Sequence, residues 1–501
     1  MEKKFAELKK KLSEVSAINS AAAVLSWDQQ VYMPSGGAEA RAASTSALEE
    51  LAHVKFTSDE TGALIEGAYS WAQSLGEDSF EASYLRAAKR DYDKIKKLPS
   101  EFVGEFSRTV SAGIEAWTKA RANSDFKAFA PHLQKILDLN LRKAEYLGYK
   151  ASPYDALLDL YEPGATKAML EPVFKKLADG LKPIIKEINA RAGSVSNDIV
   201  KGDFDEDAQL ALANEIVAAL GYDLSRGRQD RSAHPFTTDF SVNDVRITTR
   251  THRDYLPACV YGSIHECGHA LYGQGTPQNF DFTPLAGGAS LGMHESQSRF
   301  WENVVGRSLP FCRWLLPSLR KHFPGKFDKV NAEELFVAVN RSAPSLIRVE
   351  SDEVNYNLHI MLRFEIETAL LEGRLKVSDA PAFWNAKMQE YFGIKPAKDS
   401  EGILQDIHWA YGMIGYFPTY SLGNLISAQI AEKLTKDVPG WKELPERGEF
   451  APILGWLRKH IHSQGRKYLP EQLLKRELGE GIRVEPFLDY IKSKYSRIYG
   501  F

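Results

Sequence analysis

A mostly α-helical molecule is the fold class this sequence predicts, and three observations point there. Apolar residues recur at spacings of three and four along most of the chain, one stretch alone is rich in β-formers, and Gly, Pro and Asn separate the periodic segments. The first stretch sets Phe5, Leu8, Leu12, Val15 and Ile18 on one stripe, as an amphipathic helix requires. The same periodicity predicts helices over 80–97, 104–120, 127–146, 168–191, 205–220, 332–340, 354–373 and 471–477. The exception is 236–250, whose Thr, Val and Phe content predicts a strand pair turning at Asn243-Asp244. No repeat, Gly/Ser linker or Pro-rich tether marks a cut, so 1–501 is expected to form one domain.

Composition narrows the function. With 44% hydrophobic and 26% charged residues the chain sits among ordinary globular proteins, which excludes disordered, collagen-like and low-complexity classes. Its 63 Lys and Arg against 66 Asp and Glu leave a net charge of −3, so no nucleic-acid partner is expected. The basic residues Arg458, Lys459, His460, Arg466 and Lys467 are expected to form a solvated face. Three cysteines, Cys259, Cys267 and Cys312, cannot build a disulfide framework and suit a reducing compartment. The opening residues have no apolar signal core and no long apolar run appears, so the expectation is a cytoplasmic protein with no membrane partner.

Histidine is unevenly spread: eight of the twelve lie between His234 and His408. Within that segment stands His265-Glu266-Cys267-Gly268-His269. On a helix His265 and His269 project one turn apart from one face and can reach a single metal ion. Glu266 stands beside them, placed to take a proton from water without ligating. Cys267 falls on the opposite face and reads as a core thiol. The pattern arises by accident in roughly 0.02 of chains this long, so its context must decide between a metal site and two ordinary helical histidines.

Context means a third ligand, because a catalytic zinc site holds three protein ligands and leaves a position for water. After a breaker-rich loop with Gly273, Gly275, Pro277, Pro284, Gly287 and Gly288, a second helical pattern begins near Leu291. Glu295 opens it and is the favoured third ligand. Glu302 shares its face and reads as a supporting or solvated acid. His294 competes with Glu295, and one of these two neighbours would instead orient a ligating histidine.

These residues do not stand alone. His234-Pro235-Phe236, Asp244-Val-Arg246-Ile-Thr248, the His265-to-His269 motif, His294-Glu295-Ser296-Gln297, Ile347-Arg348-Val-Glu350-Ser-Asp352-Glu353 and Gly402-Ile-Leu-Gln405-Asp406-Ile-His408-Trp409 follow in order. With Ser26-Trp27-Asp28 and Gly465-Arg-Lys-Tyr468-Leu-Pro470, the chain resembles the carboxypeptidase Taq family of gluzincin metallocarboxypeptidases over nearly its whole length. Ser351 departs from an expected alanine. The resemblance implies one catalytic domain of two helical lobes flanking a deep groove, with the metal at its floor, and a homodimer. It also implies a zinc ion, replaceable by cobalt, and release of single C-terminal residues from peptides, with broad tolerance and poor release of proline.

The chemistry assigns roles. With zinc on His265, His269 and Glu295, water ionises near neutral pH, and Glu266 shuttles its proton to the leaving amine. Tyr420 and His408 are the candidates to stabilise the oxyanion, with Tyr411 and Tyr416 as rivals. An exopeptidase needs a fixed cation for the terminal carboxylate; Arg348 is the first choice and Arg246 the second, because a guanidinium fork binds both oxygens. The plainer alternatives are an ion pair of Arg348 with Asp352 and of Arg246 with Asp244 or Asp239. His234 either contacts substrate or pins the hairpin, and Asp406 orients other groups or is a structural acid. His322, His359, His460 and His462 carry no readable pattern. Competing functions are a helical gluzincin oligopeptidase or peptidyl-dipeptidase, and a peptide-binding scaffold with a structural metal.

Overall fold

Each helix expected from periodicity forms; the eight bounded ones end within about one turn of the expected ends, while the opening helix, Glu2–Val31, runs well past the stripe that ends at Ile18. The computed structural model describes residues 1–501 and is 69% helical. Helices that the periodicity did not announce include Ala38–Thr57, Leu309–His322 and Pro418–Asp437. In Ala38–Thr57 only Ala52 is buried, so there was no apolar stripe to read. No helix is long and apolar enough to cross a membrane.

The chain forms two compact units, each assembled from three separate stretches. Met1–Lys96, Ser196–Val339 and Ser427–Gly481 make the first; Lys97–Val195, Asn340–Ile426 and Ile482–Phe501 make the second. Such interleaving leaves no linker for composition to reveal. In the first unit the predicted stripe of the opening helix works as expected. Phe5, Leu8 and Leu12 pack with Ile65, Ala68 and Ala72 and with Tyr84, Leu85 and Ala88. Covering one such leucine contributes about 1.5–3 kcal/mol.

The strand pair expected over 236–250 forms, and a third strand ahead of it joins the sheet. Strands β1 (Gln229–Arg231), β2 (Thr237–Ser241) and β3 (Asp244–Thr249) are ordered β1-β3-β2, with β1 parallel and β2 antiparallel to β3. The expected turn is displaced by one residue: it is Val242-Asn243, and Asp244 already belongs to β3. Asp281 fixes it by accepting hydrogen bonds from the Val242 N–H at 3.1 Å and the Ser241 hydroxyl at 2.8 Å. β1 reads Gln-Asp-Arg, three residues without a β-former, and escaped notice for that reason.

In the second unit the helix Tyr356–Leu371 runs through the interior, with all but Glu365 of its residues buried. A helix apolar all round belongs in a core. Its polar exceptions are therefore informative.

Candidate active site

The helix Leu256–Gly275 starts with Pro257 in its first turn, where the missing N–H costs nothing. It carries His265 and His269 with their ring centroids 5.0 Å apart. Gly268 between them is required by packing: a Cβ there would lie 2.6 Å from Ser298 Cα and 2.7 Å from the Gln297 carbonyl oxygen. Its absence lets the helix Leu291–Arg299 press against the motif helix, and Ser290 caps that second helix by accepting from the Met293 N–H. Glu295 is thereby delivered to the histidines. Its Oε2 lies 3.6 Å from His265 Nε2 and 3.4 Å from His269 Nε2, and one ligand atom from each residue lies within 4.8 Å of the others. Ligands about 2.1 Å from a tetrahedral ion stand about 3.4 Å apart, so the set fits a divalent metal.

The far sides of both rings are held. His265 Nδ1 lies 2.9 Å from Glu302 Oε2, and His269 Nδ1 lies 2.8 Å from His294 Nδ1. Bonds of this kind fix the tautomer and leave the Nε2 lone pairs for an ion. Glu302 sits in a π-helical segment, Phe300–Val305, that continues the second helix. Burial opposes its charge, but Arg299, the His265 hydrogen bond and Arg307 outweigh it and hold Glu302 at about 2. Burial likewise opposes ionisation of Glu295, while Arg299 and the two imidazoles keep its carboxyl well below the usual range. Arg299 Nε donates to Glu295 Oε1 at 2.7 Å and its Nη1 to Glu302 Oε2 at 3.2 Å. Burial, then the nearby His269, keep His294 neutral, its pKa lowered to about 3. The ring of His294 also rests against Tyr272 at 4.9 Å.

Glu266 is buried, and Thr237 on β2 donates to its Oε2 at 2.6 Å. The β-sheet thus aims the carboxylate that the motif helix carries. Cys267 is fully buried, and burial pushes its thiol up, as suits an inert core residue.

The second unit collects the remaining motifs. Asp406 accepts from Arg348 Nε at 3.1 Å, Arg348 Nη2 at 2.8 Å and Arg363 Nε at 2.7 Å. Arg348 is 5% exposed, and its Nη1 donates to the Tyr356 hydroxyl at 2.7 Å. The expected alternative, an ion pair with Asp352, does not form: Asp352 instead accepts from Ser342, Ala343 and Asn355. Asp406 holds other groups, in keeping with its sequence reading. His408 Nε2 lies 3.1 Å from the Tyr420 hydroxyl, so those two residues do come together. Tyr416 packs against both rings, whereas Tyr411 is exposed.

Arg246, in the first unit, is bidentate to Asp244, with both contacts at 2.8 Å, and lies over the rings of Trp27 and Phe240. His234 is exposed; the hairpin is pinned instead by Ser232, which donates to the His234 carbonyl, and by Thr248, which accepts from the Phe236 N–H. The basic cluster is less solvated than expected, since Arg466 is bidentate to Asp91 and His460 meets Glu477.

Comparison with known proteins agrees with this geometry. The family model described as carboxypeptidase Taq (M32) metallopeptidase matches residues 7–495. The chain belongs to that family. Carboxypeptidase 1 of Bacillus subtilis is 39% identical over 498 residues, covering 99% of this chain and 98% of that protein. Thermostable carboxypeptidase 1 of Pyrococcus furiosus is 42% identical over 488 residues, covering 97% of each. The crystal structure of an M32 carboxypeptidase from Deinococcus radiodurans R1 superposes with a TM-score of 0.97 at 38% identity, covering 100% of both chains. This M32 chain is accordingly a metallocarboxypeptidase with a candidate metal triad of two histidines and a glutamate. Sequence reasoning missed Thr237, Arg299, Arg307 and Gly268. Of these only Gly268 left a signal, a helix-weakening glycine inside the motif itself.

Proposed function

We propose that this chain is a zinc carboxypeptidase that removes single residues from peptide C-termini, with broad side-chain tolerance and poor release of proline. The observation that carries the reading is the triad itself: three inward donor atoms, two of them imidazole nitrogens whose opposite ring positions are already engaged. Two imidazoles and a carboxylate suit zinc and tolerate cobalt. An ion held by His265, His269 and Glu295 would polarise the scissile carbonyl and bring water into its ionising range near neutral pH.

The residues around it do the rest. Glu266, aimed by Thr237, accepts the proton of the attacking water and passes it to the departing amine. Burial, then repulsion from Arg348, keep His408 neutral, with its pKa lowered to about 3. Its buried Nδ1 has no hydrogen-bond partner. A buried N–H without an acceptor is rarer and costlier than a bare lone pair, so the ring proton sits on Nε2 and is donated to Tyr420. That turns the Tyr420 hydroxyl hydrogen away from the imidazole, and it is the donor we assign to the carbonyl oxygen as charge develops. For the substrate carboxylate, Arg246 stands ahead of Arg348: its side chain keeps 21% of its surface exposed against 6%. His234, exposed at the mouth of the hairpin, is assigned to substrate contact.

The same reading takes the enzyme to be a cytoplasmic homodimer. Its support is the family resemblance, with three buried cysteines that form no disulfide. The decisive experiment follows products of an N-blocked peptide by mass spectrometry, with a free and with an amidated C-terminus. Stepwise loss of single C-terminal residues, abolished by amidation and by chelation and restored by zinc, is the expected result. Internal fragments, or undiminished cleavage of the amide, overturn the reading.

A further inference from the structure

His359, Arg363 and Glu367 form a polar stripe at four-residue intervals on the buried helix Tyr356–Leu371, each with 0% exposure. Arg363 is committed to Asp406 and to Gln405, whose Oε1 accepts from Nη2 at 2.8 Å. Glu367 has no guanidinium or ammonium bonded to it. Its Oε1 accepts from the Trp409 indole N–H at 2.8 Å, and its Oε2 accepts from the Gly415 N–H at 3.1 Å and the Tyr154 hydroxyl at 2.9 Å. A buried carboxyl without a paired cation is costly, and it is tolerable only where donors surround it.

Those donors mark out one loop. Trp409 directly follows His408, and Gly415 precedes Tyr416, Phe417 and the helix that begins at Pro418 and carries Tyr420. Gly415 has φ of 87°, and a Cβ there would lie 2.9 Å from the Leu158 amide nitrogen, so the loop is pressed onto the helix Pro153–Leu158 that supplies Tyr154. Just outside the two held points the chain closes on itself: the His408 ring lies 4.5 Å from Phe417 and 5.3 Å from Tyr416. Glutamine in place of Glu367 has a single oxygen and would set an amide N–H against one of the two loop donors.

We propose that Glu367 is a positioning residue for the reaction, clamping the loop at Trp409 and at Gly415 so that His408 and Tyr420 keep their contact. The proposal rests on the reading above that this pair serves the chemistry. The clamp holds in either charge state: a proton on Oε2 needs only that the Tyr154 hydroxyl rotate to accept it, while Trp409 and Gly415 still donate. The other ionisable groups facing Glu367 are Tyr161 and Arg363, and neither bonds it.

The test uses the full-length, metal-loaded enzyme and an N-blocked peptide with a free C-terminus. Tyr420→Phe comes first: a large loss of turnover supports the underlying reading, and full turnover removes that reading and the proposal together. Glu367→Gln and Trp409→Phe should then each lower kcat by about 10- to 100-fold, with KM and bound metal within about twofold. In the Tyr420→Phe background each should cost less than about threefold, because the group they misplace is already gone. Glu353→Gln alters another buried acid of this unit, bonded to Tyr490, Lys494 and Tyr495, and should leave kcat within about twofold. Should Glu367→Gln fail to fold, Trp409→Phe carries the test alone. A kcat within about twofold of the parent in the folded variants, or an equal fold-loss with and without Tyr420, overturns the proposal.

Discussion

Both units bury a carboxylate beneath guanidinium groups, yet only one of the two clusters keeps anything to offer. In the first unit Arg299 occupies Glu295 Oε1, while Oε2 turns toward two imidazole nitrogens at 3.4 and 3.6 Å. In the second, Asp406 commits Oδ1 to Arg348 and Oδ2 to Arg363, and Gln405 ties the Arg348 N–H and Arg363 together. The ingredients match; the disposition of lone pairs does not. A buried ion pair is therefore a poor sign of function by itself, and an oxygen left facing two imidazole nitrogens is a good one.

The sharpest way to break this contrast is to alter the carboxylate beside the open cluster. Glu266→Gln should lower kcat by about 10⁴-fold, with bound metal unchanged when measured by atomic absorption. Retained turnover would show that the first unit only stores an ion. The closed cluster should respond in stability instead. Arg348→Met leaves Asp406 with one guanidinium and should cost about 3–5 kcal/mol in denaturant unfolding. Arg246→Met, which breaks a more exposed pair than that of Arg348, should cost less than about 1 kcal/mol. Similar losses for both arginines would erase the distinction drawn between them.

The open cluster was largely legible in the sequence and the closed one was not, for a physical reason. His265, Glu266 and His269 are spaced by helix geometry, which local sequence encodes. Glu295 needed only the inference that a breaker-rich loop folds a second helix back. Arg348 meets Asp406 across 58 residues of chain and Glu367 meets Trp409 across 42, through contacts that no local period announces. A motif singles out Arg348 for the terminal carboxylate, but it does not reveal that the guanidinium also meets Asp406. The turn at Val242-Asn243 shifted for a similar reason: its anchor, Asp281, lies about forty residues away.

Glu367 lends the second unit a pH signature of its own. Burial pushes its carboxyl up to about 7, against the pull of Trp409, Gly415 and Tyr154. In the unfolded chain a glutamate titrates near 4.3. Below that, both states hold the proton and folding loses nothing. As pH rises toward 7 the unfolded chain ionises first, so stability falls by an amount on the order of 3 kcal/mol and levels off above 7. The difference in unfolding free energy between wild type and Glu367→Gln, followed from pH 4 to 8, should carry that slope, whatever constant offset the lost hydrogen bond adds. A difference that stays flat would mean the carboxyl is not held against ionisation.

The smallest effect should come from the support beneath the metal ligands. Glu302 accepts from His265 Nδ1, and its two oxygens also meet Arg299 and Arg307. Glutamine at 302 can still accept from the imidazole through its one oxygen, so the tautomer that presents Nε2 survives. What it loses is the negative charge that strengthens His265 as a donor and balances two guanidinium groups. Metal affinity in Glu302→Gln, measured by chelator competition, should therefore fall by about 10- to 100-fold, with kcat of the fully loaded enzyme little changed. Asp406→Asn removes an equally buried charge from the closed cluster and should leave metal affinity untouched. If the two substitutions weakened metal binding alike, the open cluster would owe its ligand character to something other than the lone pairs that Glu302 and Glu295 keep in place.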